Sequence, residues 1–267
     1  MHDRLSVHSV TFHGDSLAEL DNHWRALGLT RLSLIDTQLS DPALTPLLTR
    51  HGYRIDAVYH LFGAGRIPAT SEQTRAARDA LDRLVDAAAG LGTRMIYMLT
   101  GGRGPMSWRH AADQFCAAVA PCVERAREAG VALAIENASS LYADLHIAHS
   151  LRDTITLAEM ADVGICIDLF HCWAEAEVTE LVDRALPRTE LVQLSDYVLG
   201  DRSLPARAVP GDGVIPVEPF VNQVLAGGYA HGFDIELIGP RIEAEGRAAA
   251  ARRACAHIGA LLDRLGA

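Results

Sequence analysis

The chain contains no lysine: its 24 basic residues are all arginine, against 34 acidic residues and a net charge of −10. Schiff-base chemistry needs a side-chain amine that can lose its proton. Lysine-imine aldolases and a side-chain pyridoxal anchor are therefore excluded, and a P-loop falls with them. Five cysteines (Cys116, Cys122, Cys166, Cys172 and Cys255) form no CxxC pair. That spacing speaks against a thiolate zinc site or a disulfide framework, and a reducing cytoplasm is the expected compartment. No apolar run reaches membrane-spanning length without charges or turn residues. The opening MHDRLSVHSV lacks the basic and apolar segments of a secretory signal. A nucleic-acid partner usually requires a basic face, so the acidic surplus argues against one.

What is present is alternation. Strand-like runs occur at 4–12, 29–36, 53–62, 93–100, 131–137, 163–170, 191–196 and 231–237. Helical periodicity fills the intervals, for example in SEQTRAARDALDRLVDAAAGLG and SWRHAADQFCAAVAPCVERAREAG. Gly92, Gly130 and Gly228 stand where left-handed helix caps belong. Eight strands each followed by a helix imply a parallel sheet, and eight is the number that closes a barrel. With no linker, low-complexity tract or visible repeat, the expectation is α/β, one (β/α)8 TIM barrel over residues 1–267.

The strands carry a second pattern. Val131, Leu133 and Ile135 share one face of their strand, and Ala132, Ala134 and Glu136 the other. The same division sets Val163, Ile165 and Ile167 against Gly164, Cys166 and Asp168. It recurs with Leu191, Gln193 and Ser195 opposite Val192 and Leu194, and with Asp234 and Glu236 opposite Phe233 and Ile235. If the bulky face meets the helices, then Glu136, Asp168, Gln193 and Glu236 point into the barrel. They lie near the C-terminal strand ends, where barrel enzymes keep their chemistry. Three buried carboxylates need a counter-charge, and no lysine can supply it. A divalent cation is the simplest solution. Three carboxylates and one amide oxygen are hard ligands that suit Mn²⁺ or Mg²⁺. The competing readings are a carboxylate network paired with arginines such as Arg207, and a core amide at Gln193 bonded to backbone.

These residues resemble the xylose isomerase-like TIM barrels, the sugar phosphate isomerase/epimerase superfamily that includes ketose 3-epimerases and inosose dehydratase. The resemblance lies in AIEN, IDLFH, LVQLSD, RAVPGDGVIP and DIEL, taken in strand order. It implies Glu136, Asp168, Gln193 and Glu236 as metal ligands, with Gln193 where the epimerases carry histidine. It implies Glu136 and Glu236 as the acid/base pair, and His171 and Arg207 as contacts to substrate oxygens. His8 and His60, on strand registers read as inward, are candidates to line the pocket or simply to pack. Tyr142 stands where the epimerases carry another glutamate that touches the sugar. The loop 196–213 is longer than theirs, and its PGDG glycines read as turn formers more readily than as a phosphate cradle. Asp196 and Asp234 are read as acceptors for loop amides.

The implied activity is a metal-dependent isomerase or epimerase acting on a sugar, sugar phosphate or related polyhydroxy ketone through an enediolate. A lyase or dehydratase working on a cyclic polyol or 3-keto-glycoside at the same site is the alternative. The partner is a small polyhydroxylated molecule, and a homo-oligomer stays open.

Overall fold

The computed structural model describes Met1–Ala267. Its strands are β1 (Leu5–Val7), β2 (Arg31–Ile35), β3 (Arg54–Leu61), β4 (Met95–Leu99), β5 (Ala132–Glu136), β6 (Gly164–Asp168), β7 (Thr189–Leu194) and β8 (Phe233–Ile235). The helices are α1 (Leu17–Leu27), α2 (Leu44–His51), α3 (Ser71–Gly90), α4 (Trp108–Glu128), α5 (Leu151–Ala161), α6 (Leu169–Cys172), α7 (Val178–Ala185), α8 (Val217–Ala226), α9 (Pro240–Glu245) and α10 (Arg247–Leu265). The strands follow the order β1-β8-β7-β6-β5-β4-β3-β2 in one parallel sheet, and His8 bridges Ser33 where the ends of that order meet. This is the (β/α)8 TIM barrel that the alternation predicts. No helix is long and apolar enough to cross a membrane. Contacts gather into two compact units, one of Met1–Asp56 with Leu191–Ala267 and one of Ala57–Glu190.

Local chemistry sets the element ends. Ser16 with Glu19, and Thr70 with Gln73, form reciprocal capping boxes at the starts of α1 and α3. Gly92, Gly130 and Gly228 take φ of 67°, 71° and 88°, the left-handed conformation expected of them. Most strands are shorter than their apolar runs. β1 stops at Val7 because residues 9–12 coil into a 3-10 turn capped by His8. β6 stops at Asp168, whose carboxylate caps the single turn of α6.

In the first unit, Ser6 pairs in register with Asp234, and Gln193 with Asp234. Ladder neighbours project to the same side, so these side chains share one face. Val192, Leu194, Phe233 and Ile235 are fully buried on the other. Ser6 Oγ and Ser33 Oγ donate to the two oxygens of Asp234 at 2.6 and 2.7 Å. Asp234 thus accepts hydroxyls rather than the loop amides expected of it.

In the second unit, Glu136 pairs with Cys166, Ala134 with Tyr97, and Tyr97 with Tyr59. That ladder corrects one expectation. His60 pairs with Met98, and Met98 with Ile135, so His60 lies on the face opposite Glu136. It lines a cavity of about 360 Å³ against Ala76, Ala77 and Ala80 of α3. Tyr59 and Tyr97 hold the inward places instead, with ring centroids 5.7 Å apart. Strand alternation alone cannot fix which face of β3 is inward; the pairing to β4 and β5 does.

Candidate functional site

Glu136 ends β5 and Asp168 ends β6 on the same face, both buried. The chain turns into α6 directly after Asp168, and one helical turn brings His171 back over it. His171 Nε2 lies 3.6 Å from Asp168 Oδ2. Glu136, Asp168 and His171 each offer a ligand atom, and these atoms all lie within 4.8 Å of one another. Two carboxylates and an imidazole at that spacing fit a divalent cation, with hard oxygens predominating. The ring of Tyr142 packs edge-on to His171 at 6.1 Å.

Two residues without a sequence-assigned role hold this cluster in place. Asn137 Nδ2 donates to the Asp168 carbonyl at 2.8 Å, and Asn137 Oδ1 accepts the Asp168 N–H at 2.9 Å. This amide locks the ends of β5 and β6 together. His146 is fully buried; its Nε2 donates to the Glu136 carbonyl at 2.8 Å and its Nδ1 accepts the Thr100 N–H at 3.0 Å. A backbone N–H at Nδ1 leaves the proton on Nε2, so the ring is neutral. Burial, the largest cause, pushes its pKa down to about 3. The sequence signal for Asn137 is its position beside Glu136 in AIEN. His146 carries none, because its loop has no periodicity to orient it.

Gly101 and Gly102, in the loop TGGRG (100–104) after β4, lie at the same strand ends. A Cβ on Gly102 would fall 2.2 Å from the Asp144 carbonyl oxygen, so only glycine allows the loops after β4 and β5 to close on each other. Gly102 N donates to Gly65 O and Gly101 N to Leu145 O, tying in the loop after β3 as well.

The first unit holds a second cluster. Gln193 Nε2 donates to Glu236 Oε2 at 2.8 Å. Burial pushes Asp234 up to about 7, opposed by hydrogen bonds from Ser6, Ser33 and Gln193. Gln193 therefore meets a carboxylate as well as occupying its strand register. Arg207 is buried, and its Nη2 lies 3.0 Å from Glu236 Oε1 while its Nη1 donates to Ser195 Oγ at 3.0 Å. The arginine network weighed against a metal thus exists at Glu236.

Asp212, on the same loop, pairs with Arg253 at 2.6 Å. His8 is buried on the face of Ser6, and its Nδ1 accepts the Val10 N–H at 3.0 Å. Asp196 meets its expectation fully. Its carboxylate accepts the N–H groups of Tyr197, Gly211, Gly213 and Ile215 at 2.8 to 2.9 Å. The PGDG glycines are turn formers around that acceptor. All five cysteines are free thiols, and burial pushes Cys122 and Cys255 up to about 12.

Solved structures share this fold. Protein SMc04130 from Sinorhizobium meliloti 1021 superposes with a TM-score of 0.84 at 22% identity, over 98% of each chain. The IOLI protein with a bound zinc atom gives 0.81 at 14% identity, over 98% of this chain and 99% of that one. D-psicose 3-epimerase with D-tagatose, from Clostridium cellulolyticum H10, gives 0.77 at 14% identity over 98% of each. No curated protein sequence matches the chain. The family model described as xylose isomerase-like TIM barrel matches residues 9–260, and the chain belongs to that family.

Proposed function

We propose that the chain is a divalent-metal-dependent isomerase or epimerase acting on a sugar, sugar phosphate or related polyhydroxy ketone, with Mn²⁺ or Mg²⁺ as its ion. The observation that carries this reading is the Glu136–Asp168–His171 cluster, three ligand atoms within 4.8 Å at two strand ends. Glu136, Asp168, Gln193 and Glu236 are the assigned ligands. When bound, the cation supplies Lewis-acid polarisation of the substrate carbonyl and offsets developing negative charge. Glu136 and Glu236 remove and return the proton of the enolising carbon. Gln193 and Arg207 fix the orientation of the Glu236 carboxylate through bonds of 2.8 and 3.0 Å. His171 and Arg207 contact substrate oxygens, and Tyr142 and His8 line the pocket. The family membership and the epimerases of like fold support the reaction class.

The test is solvent exchange. The Mn²⁺-loaded protein is incubated in D₂O with ketoses, inososes and 3-keto-glycosides, and products are followed by mass spectrometry and NMR. The expected result is metal-dependent deuterium uptake at one carbon, in a product isomeric with the substrate. Glu136→Gln and Glu236→Gln are each expected to lower the exchange rate by roughly 10²- to 10⁴-fold. Products that have lost water would establish the dehydratase alternative, and metal-loaded protein that exchanges no compound of the panel overturns the reading.

A further inference from the structure

A cleft of about 420 Å³ opens beside the first-unit cluster, lined among others by Asp201, Arg202, Ser203 and Arg207 of the seventh loop and by Arg241 of α9. Arg241 is matched by Asp201 and Arg207 by Glu236, which leaves the charge of Arg202 over, in a chain whose net charge is −10. The excess is local and needs an explanation.

The donors of these arginines are only partly used. Arg202 spends one nitrogen, Nη1, on the Tyr197 hydroxyl and the Asp201 carbonyl, both at 3.0 Å. Its Nε and Nη2 meet no protein acceptor. Arg241 places Nε and Nη2 on the Asp201 carboxylate at 2.5 and 3.1 Å, leaving Nη1 over. The Ser203 hydroxyl has no protein partner. Planar guanidinium forks beside a hydroxyl match the oxygens of a phosphate or a carboxylate. The loops after the seventh and eighth strands are also where barrel enzymes frequently seat phosphate.

Arg207 joins this cleft to the chemistry. It contributes to the lining, yet its Nη2 sits 3.0 Å from Glu236 Oε1. We propose that the cleft binds the anionic group of the substrate, a phosphate or a carboxylate, so that the polyhydroxy ketone turned over is an acid or a phosphate ester. As a substrate subsite this rests on the function proposed above; as an anion site it does not. Asp201 then serves as the internal stand-in for that anion, holding Arg241 until the substrate displaces it.

Inorganic phosphate and acetate are the probes, titrated into the full-length protein at constant ionic strength and followed by calorimetry. Saturable binding of phosphate, acetate or both is expected. A phosphate preference identifies a phosphoryl group, and comparable acetate binding a carboxylate. Arg202→Ala with Arg241→Ala should weaken binding tenfold or more. Asp201→Asn removes the competing charge without removing a donor, so it should tighten binding by roughly two- to fivefold, the range of exposed charge pairs. That opposite sign cannot come from misfolding. Absence of saturable binding, or an Asp201→Asn protein that binds no more tightly than wild type, overturns the site. Gln193→Ala should leave phosphate binding unchanged while weakening metal binding. If phosphate binds but no substrate exchanges in D₂O, the function fails and the anion site stands.

Discussion

His146 illustrates how much a single side chain can carry without touching substrate. It joins the Thr100 N–H to the Glu136 carbonyl, and it can do both only as the neutral ring. An imidazole in the unfolded chain titrates near 6.5, whereas burial pushes this one down to about 3. Between those values the unfolded chain binds a proton that the folded chain refuses. Stability from this group is therefore complete above about pH 6.5 and is lost as pH falls toward 3. From pH 7 to pH 5 the loss is on the order of 2 kcal/mol. His146→Gln keeps a donor for the Glu136 carbonyl but cannot titrate. Its urea midpoints at pH 7 and pH 5 should lie closer together than those of wild type. An unchanged gap would show that other groups carry the acid sensitivity.

At the scale of elements, the seventh loop is the feature with the most built into it. Asp196 gathers four backbone N–H groups, and residues 196 and 208 pair as an antiparallel bridge that folds the loop back on the end of β7. Hydrogen bonds to a charged acceptor contribute roughly 1.5–3 kcal/mol each, and leaving the amides unmet adds a desolvation cost. Asp196→Ala should destabilise the protein by about 3 kcal/mol and expose residues 198–214 to limited proteolysis, with the cleavage products identified by mass spectrometry. Gly213→Ala should give the same fragments, because a Cβ there would fall 2.2 Å from the Tyr197 carbonyl oxygen and 2.4 Å from Asp196 Oδ1. Cleavage confined to other loops in both variants would remove this account of the loop's order.

Legibility from sequence divides along physical lines at this same scale. Alternation and apolar periodicity are short-range, so the eight strands, the long helices and the inward faces of β5 to β8 could be read directly. Asp196 was readable because an acid beside a turn-rich loop has few other acceptable roles. His60 was not, since the face it occupies depends on pairing with Met98, a contact distant in sequence. Asn137 and His146 were missed for the same reason, their partners lying on other strands and loops, whereas an arginine such as Arg207 was read as a possible carboxylate partner without Glu236 being singled out.

At the scale of the whole molecule, stability reports which residues hold the proposed ion, independently of any substrate. A ligand that binds only the folded state at a hundred times its Kd adds about 2.7 kcal/mol. For a chain of 267 residues that corresponds to a rise in Tm of roughly 5 °C or more. Mn²⁺ should therefore raise the melting temperature, and a chelator should return it to the starting value. Asp168→Asn and Glu136→Gln should abolish the rise, since both residues belong to the 4.8 Å cluster. Gln193→Ala and Glu236→Gln are the informative pair. If all four variants weaken the shift, the ligand set is drawn from β5 through β8, as the four-strand reading requires. If the last two respond to Mn²⁺ like wild type, the ion rests on Glu136, Asp168 and His171 alone. Glu236 would then be a base held by Arg207 and Gln193 rather than a ligand.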